Sequence, residues 1–186
     1  MNILTIAKMI LTPGDIWLDL EKARPSLPSL FLFHIFPLSA LPPLLLYHAG
    51  THYGDAFAAG FGAKPWVTIA SAFYLAEVFT VFGMGWIIRQ VAAIYKVNVS
   101  KYDAYLLAGI SPTPLWLSSL ALLVPNLAFS ISIVLLALAV TCITVYRGVY
   151  ALCHMHEEIT AAAITQTVMG AGLIAWALLL LIIVAL

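Results

Sequence analysis

Glu77 has the most chemistry to offer in this sequence and the least obvious reason to be where it is. It stands eleven residues after Trp66 and eleven before Ile88, in a run with no other charged side chain. Burying a lone carboxyl among apolar groups is expensive unless it is paired, hydrated or neutral. If the run crosses a bilayer, an acid at its centre costs about 2.5–3.5 kcal/mol, so Glu77 is expected to face protein or a wet cavity. Counted from the ends of their own runs, Ser39, Thr113 and Thr141 come to a similar depth. Together with Glu77 they make a candidate ion or proton site. Pro112 and Pro114 flank Thr113 and predict a helix break there, which frees carbonyls that a protonated Glu77 could bond or a cation could use. The structural alternative is a neutral Glu77 whose single hydrogen bond ties the second and third runs together.

A second group of reactive side chains, Cys153, His154, His156, Glu157 and Glu158, crowds the end of the fourth run. On a continuing helix two or three of them could converge on a divalent metal. A closed zinc site takes four ligands, and no second ligand pair follows at a suitable spacing, so the alternative is a solvated helix end with no cofactor. His48, His52 and Asp55 have near-helical spacing too, interrupted by Gly50 and Gly54, and His34 is read as a lone, internally satisfied histidine. No second histidine follows His156-Glu157-Glu158 at metalloprotease spacing. Nor is there a glycine-flanked serine nucleophile or a phosphate-binding glycine loop, so no enzymatic activity is expected.

Long apolar segments must carry these groups. The 186 residues are 63% hydrophobic and 9% charged, which leaves too little polar surface to coat a water-soluble domain. Ala104 to Tyr146 runs forty-three residues without Asp, Glu, Lys, Arg or His. About 20 helical residues cross a hydrocarbon core, so that stretch reads as two passes turning at Pro125-Asn126. Five apolar runs, near 30–47, 66–88, 104–123, 127–152 and 162–186, predict an all-α, five-transmembrane-helix bundle. Pro37, Pro42 and Pro43 lie inside the first run and leave a re-entrant segment as its alternative. Five crossings put Lys8, Lys22, Arg24, Arg89, Lys96, Lys101 and Arg147 on one side and Lys64 alone on the other. A re-entrant first run would split them four against four. Basic residues stay cytoplasmic, which favours five crossings with the N-terminus in and the C-terminus out.

Residues 1–28 are read as a cytoplasmic interfacial segment and 29–186 as the membrane domain. Ile3, Leu4, Ile6, Ala7, Ile10 and Leu11 recur at helical spacing, and Ile16, Trp17 and Leu20 repeat the pattern after Pro13-Gly14. Such helices either lie in the headgroup region with Trp17 at its boundary or pack against the ends of the spans. Met1 to Leu11 lacks a charged leader and Thr12-Pro13-Gly14 is no cleavage site, so no cleavable signal peptide is expected. Cys142 and Cys153 are about 16 Å apart along one helix, beyond disulfide reach. No basic patch for nucleic acid is present. Ala163, Thr167, Ala171 and Ala175 form a small-residue stripe suited to close helix packing, within the bundle or in a homo-oligomer.

Three segments carry a family resemblance: Pro13-Gly14-Asp15-Ile16-Trp17, Gly109-Ile110-Ser111-Pro112-Thr113-Pro114-Leu115-Trp116 and Thr144-Val145-Tyr146-Arg147-Gly148. With the five-span plan, they resemble the Yip family of Ypt/Rab-interacting membrane proteins, in its short bacterial branch. The resemblance covers most of the chain. It implies an N-in, C-out five-helix bundle in a bacterial inner membrane. Eukaryotic members bind small GTPases through a longer cytosolic region with an Asp-Leu-Tyr-Gly-Pro motif, which this sequence lacks. Two functions are expected, the first as the leading reading and the second as its alternative. One is a non-enzymatic organiser or adaptor, with partners at the lipid surface and a cytoplasmic protein at Arg89 to Lys101 and His154 to Glu158. The other is an ion-, metal- or proton-coupled channel or transporter at Glu77. An adaptor predicts a dry, tightly packed midplane, and a transporter needs a path to Glu77.

Overall fold

The computed structural model describes residues 15–152 and 158–186. Helix α1 (Asp15–Ala23) precedes the first span, Leu27–Phe57, followed by Trp66–Ile94, Lys101–Leu123, Leu127–Leu152 and Glu158–Ala185. All five are long and apolar enough to cross a membrane. The fourth helix matches its apolar run, and the other four extend beyond theirs at one end or both, because backbone hydrogen bonding carries a helix through flanking polar residues.

Prolines segment the first span without ending it. Leu27–Leu30 passes into a wider π-turn over Phe31–Ile35, then Phe36–Ser39, then Leu41–Phe57. Pro37 falls in the first turn after the π-turn, and Pro42 and Pro43 fall at the start of the last segment, where a missing N–H does least harm. The re-entrant alternative is therefore not adopted, since the segments add up to one long apolar helix. Prolines break the third span as expected: Lys101–Ile110 stops, and Thr113–Ser118 restarts after Ser111 and Pro112.

Local caps set the other boundaries. Ser100 accepts the Asp103 N–H at 3.1 Å to start the third span, and Asn126 accepts the Phe129 N–H at 3.0 Å to start the fourth. The second span ends with Lys96 at φ 58° while the Val97 N–H reaches back to the Ala92 carbonyl at 2.9 Å, a Schellman motif.

The second span is central, packing on the first, third and fifth, while the fourth packs on the third and fifth. Glycines let these helices approach. A Cβ on Gly85 would lie 2.5 Å from the Tyr105 ring, and one on Gly109 would lie 2.5 Å from Ile35 Cδ1. The bundle has two distinct ends. One carries α1, Arg89, Lys96, Lys101 and Arg147; at the other, Lys64 Nζ donates to the carbonyls of Ile183 (2.8 Å) and Val184 (3.2 Å). A cation there suits the negative end of the fifth helix dipole.

Of the two readings of the N-terminal pattern, packing describes α1. Trp17 is 0% exposed. Its indole N–H donates to the Thr144 carbonyl at 3.1 Å. Residues Ile3 to Leu11 and Pro13-Gly14 lie outside the described residues.

Candidate functional site at mid-depth

The break in the third span leaves a definite backbone problem. Pro114 cannot donate to the Ile110 carbonyl four residues earlier, so that oxygen loses its helical partner. Thr113 supplies one: its hydroxyl donates to Ile110 O at 2.7 Å. That proton is then committed, so the contact of Thr113 Oγ1 with His34 Nε2 at 3.0 Å makes the imidazole the donor. His34 comes from the π-turn of the first span and is buried. The expectation that His34 is internally satisfied describes its setting, with Thr113 as the partner.

Trp116, one turn past the break, connects this network to the acid. Its ring centroid is 6.4 Å from that of His34, and its side chain lines the same cavity as Glu77. Oε2 of Glu77 has no partner. Ser111 Oγ and Thr141 Oγ1 are also buried and unpartnered. The three residues are 8%, 7% and 4% exposed, respectively, and come from the second, third and fourth spans.

All three line one cavity of about 180 Å³, with parts of all five spans in its walls. Its walls are otherwise mostly apolar, including Phe73, Val81, Met84, Ile88, Leu107 and Leu173. Thr80 also lines it, but its hydroxyl is bonded to the Ala76 carbonyl at 2.8 Å. Native structures rarely leave buried polar atoms unpaired, because each costs about 1–3 kcal/mol. Three on one cavity mark a place where something else supplies the partners.

Of the four residues proposed from depth alone, the structure brings Glu77 and Thr141 together on the cavity. Thr113 is buried and engaged with His34 and Ile110. Ser39 is buried and bonds its own helix at the Phe36 carbonyl, 3.4 Å away. Sequence reasoning passes over Ser111 and Trp116 as site residues, although both belong to the Gly109–Trp116 segment. The position of Ser111 directly before Pro112 was the available signal.

The metal candidates Cys153, His154, His156 and Glu157 lie outside the described residues. Among the described residues no three His, Cys, Asp or Glu side chains are grouped to hold a metal ion. His48 and His52 stack with ring centroids 4.3 Å apart, while Asp55 accepts the Gly62 N–H at 3.1 Å. Gly50 and Gly54 serve packing there: a Cβ on Gly50 would sit 2.0 Å from the Trp66 ring. In the fifth span Ala161, Ile164, Thr165 and Val168 face the core, whereas Ala163, Thr167, Ala171 and Ala175 are half-buried or exposed.

The three segments that carried the family resemblance meet in space around the third span. Trp17 of the first is bonded to Thr144 of the last, and Gly148 packs under Trp17 and Leu107. The middle segment holds Ser111, Thr113 and Trp116. No curated protein and no solved structure matches the chain. A family model does: the Yip1 domain aligns with residues 7–185. Its reach over all five apolar helices and over the residues around the cavity makes this multi-pass membrane protein a member of the Yip1 domain family.

Proposed function

We propose that this Yip1-domain protein is a non-enzymatic carrier of a bacterial inner membrane that takes a cationic or hydrogen-bond-donating substrate at Glu77. One observation carries the reading: Glu77 Oε2, Ser111 Oγ and Thr141 Oγ1 are unpartnered on a single cavity at mid-depth. An adaptor has no use for such a gap, since a dry core of the same helices would be more stable. A carboxylate with two hydroxyls favours a positive or donating group. The break at Ser111-Pro112 fits the discontinuous helices that form binding sites in carriers. The basic residues at the α1 end support an N-in, C-out orientation.

The test uses proteoliposomes made from a total membrane lipid extract, so that membrane-borne substrates are present. Collapse of an imposed pH gradient is followed by a lumenal dye. Wild-type protein is expected to speed the collapse and Glu77→Gln to abolish the effect while the protein still folds. Equal rates in the two proteins would overturn the reading.

A second reading keeps one observation of its own. Ile94 (76% exposed) and Ile159 (86% exposed) stand bare at the α1 end, where an apolar patch could meet a cytoplasmic protein partner. An adaptor role through this face predicts that Ile94→Ser with Ile159→Ser loses a partner in crosslinking while gradient collapse is unchanged.

A further inference from the structure

The cavity is the wrong shape and has the wrong walls for a bare ion. A dehydrated hard cation asks for about six oxygen ligands. Here three unpartnered oxygen-bearing groups sit among phenylalanine, leucine, valine, isoleucine and methionine side chains. Along the second span the lining runs from Phe73 to Ile88, about 20 Å at 1.5 Å per residue. One leaflet of hydrocarbon is about 15 Å deep, half of a bilayer core. The lined stretch therefore covers at least the depth of one leaflet. The cavity volume, about 180 Å³, is close to the roughly 150 Å³ that takes a benzene-sized guest, so it has room for about six carbons of a chain whose remainder stays in the bilayer.

The opening faces the same way. Leu173 and Trp176 line the cavity and are 42% and 36% exposed. Both lie on the fifth span in its membrane-crossing stretch, so the surface they share with the exterior is lipid-facing. Trp176 and Glu77 stand at matching depths when counted from the α1 end. From that level the apolar wall continues toward Val81, Met84, Ile88 and Leu107.

We propose that the cavity holds the head and first carbons of a membrane-borne amphiphile whose head, an amine or an alcohol, donates hydrogen bonds to Glu77, Ser111 and Thr141. The amphiphile enters from the bilayer past Trp176 and lays the start of its chain along the second span toward Ile88. An anionic head carries no N–H or O–H to donate to Glu77 Oε2. This deepens the carrier reading by naming its substrate class and rests on it.

Purified protein in detergent is labelled at Glu77 with a hydrophobic carbodiimide, and the adduct is counted by intact mass with Glu77→Gln as the blank. Hexadecylamine or hexadecanol at about ten times its Kd is expected to slow labelling about tenfold, by occupancy alone. The relative strength of the two says whether charge or hydrogen bonding dominates. Palmitate, with the same chain and an anionic head, and methylammonium, with the head and no chain, are expected to protect less than twofold. Gly172→Leu fills the slot where a Cβ meets nothing within 4 Å, and should abolish protection while circular dichroism and elution volume stay unchanged. Equal protection by palmitate or by methylammonium, or no labelling of Glu77 at all, overturns the proposal. If protection fails while gradient collapse still depends on Glu77, the amphiphile is wrong and the carrier reading stands.

Discussion

Gly148 at the α1 end and Gly172 at mid-depth are the same residue in two opposite settings. A Cβ on Gly148 would fall 2.4 Å from Leu107 Cδ1 and 2.7 Å from Trp17 Cζ2, whereas one on Gly172 would meet nothing within 4 Å. At the first position the missing side chain lets an aromatic ring seat against a helix and bond its carbonyl. At the second it widens a cavity whose polar rim is unpartnered. The bundle is thus tight where α1 docks and loose around Glu77. A chain able to pack one end to closure has the side chains to close its middle as well. The open midplane is a property of how these residues are distributed, and that makes it a place to look for function.

The largest test of this contrast removes the docking ring. Trp17→Ala deletes a fully buried indole and its hydrogen bond to Thr144, and should cost about 3–5 kcal/mol, read as a lower unfolding temperature in detergent. An unchanged temperature would mean that α1 contributes nothing to the bundle.

Next comes the asymmetry between the glycines. Gly148→Ala forces a methyl group onto Trp17 and Leu107 and should destabilise by about 1–3 kcal/mol. Gly172→Ala should be neutral or stabilise by up to about 1 kcal/mol, since alanine is the better helix former and nothing stands in its way. Equal effects of the two changes in the same thermal assay would erase the distinction between a tight end and a loose middle.

Thr113→Val probes the border between the two regions. It keeps the shape but strips Ile110 of its donor and His34 of its acceptor, at a cost of about 1–3 kcal/mol. Thr113→Ser, which retains the hydroxyl, should recover most of that loss; failure to recover would mean that the methyl group and not the hydrogen bond matters. The smallest effect is at Lys96, held at φ 58°. Lys96→Gly relieves a left-handed backbone worth about 1 kcal/mol and should raise stability slightly. A decrease would show that the lysine side chain matters more than the turn.

Much of the architecture is legible along the chain because its causes are local. Five helices follow from the lengths of apolar runs, the interrupted third span from Pro112 and Pro114, and the turn before the fourth from Pro125-Asn126. Glu77 is conspicuous because any ionisable group in such a run is. Ser111 is not, since a serine in a membrane helix commonly bonds its own backbone, as Ser118 and Ser119 do. Nothing in the spacing of Ile16, Trp17 and Leu20 distinguishes a lipid surface from a protein groove, because both reward the same apolar stripe.

Composition, proline positions and the placement of charge along the chain determined that this protein is a five-helix membrane bundle with a break in its third span. These are properties of single segments meeting lipid, water or their own backbone. Which residues share the midplane cavity, that Trp17 docks over Gly148, and that Thr113 serves His34 while Thr141 lines the cavity with Glu77 were decided only by tertiary structure. Each depends on how far a helix is rotated and shifted against its neighbours, and that is fixed by side-chain packing between segments far apart in sequence.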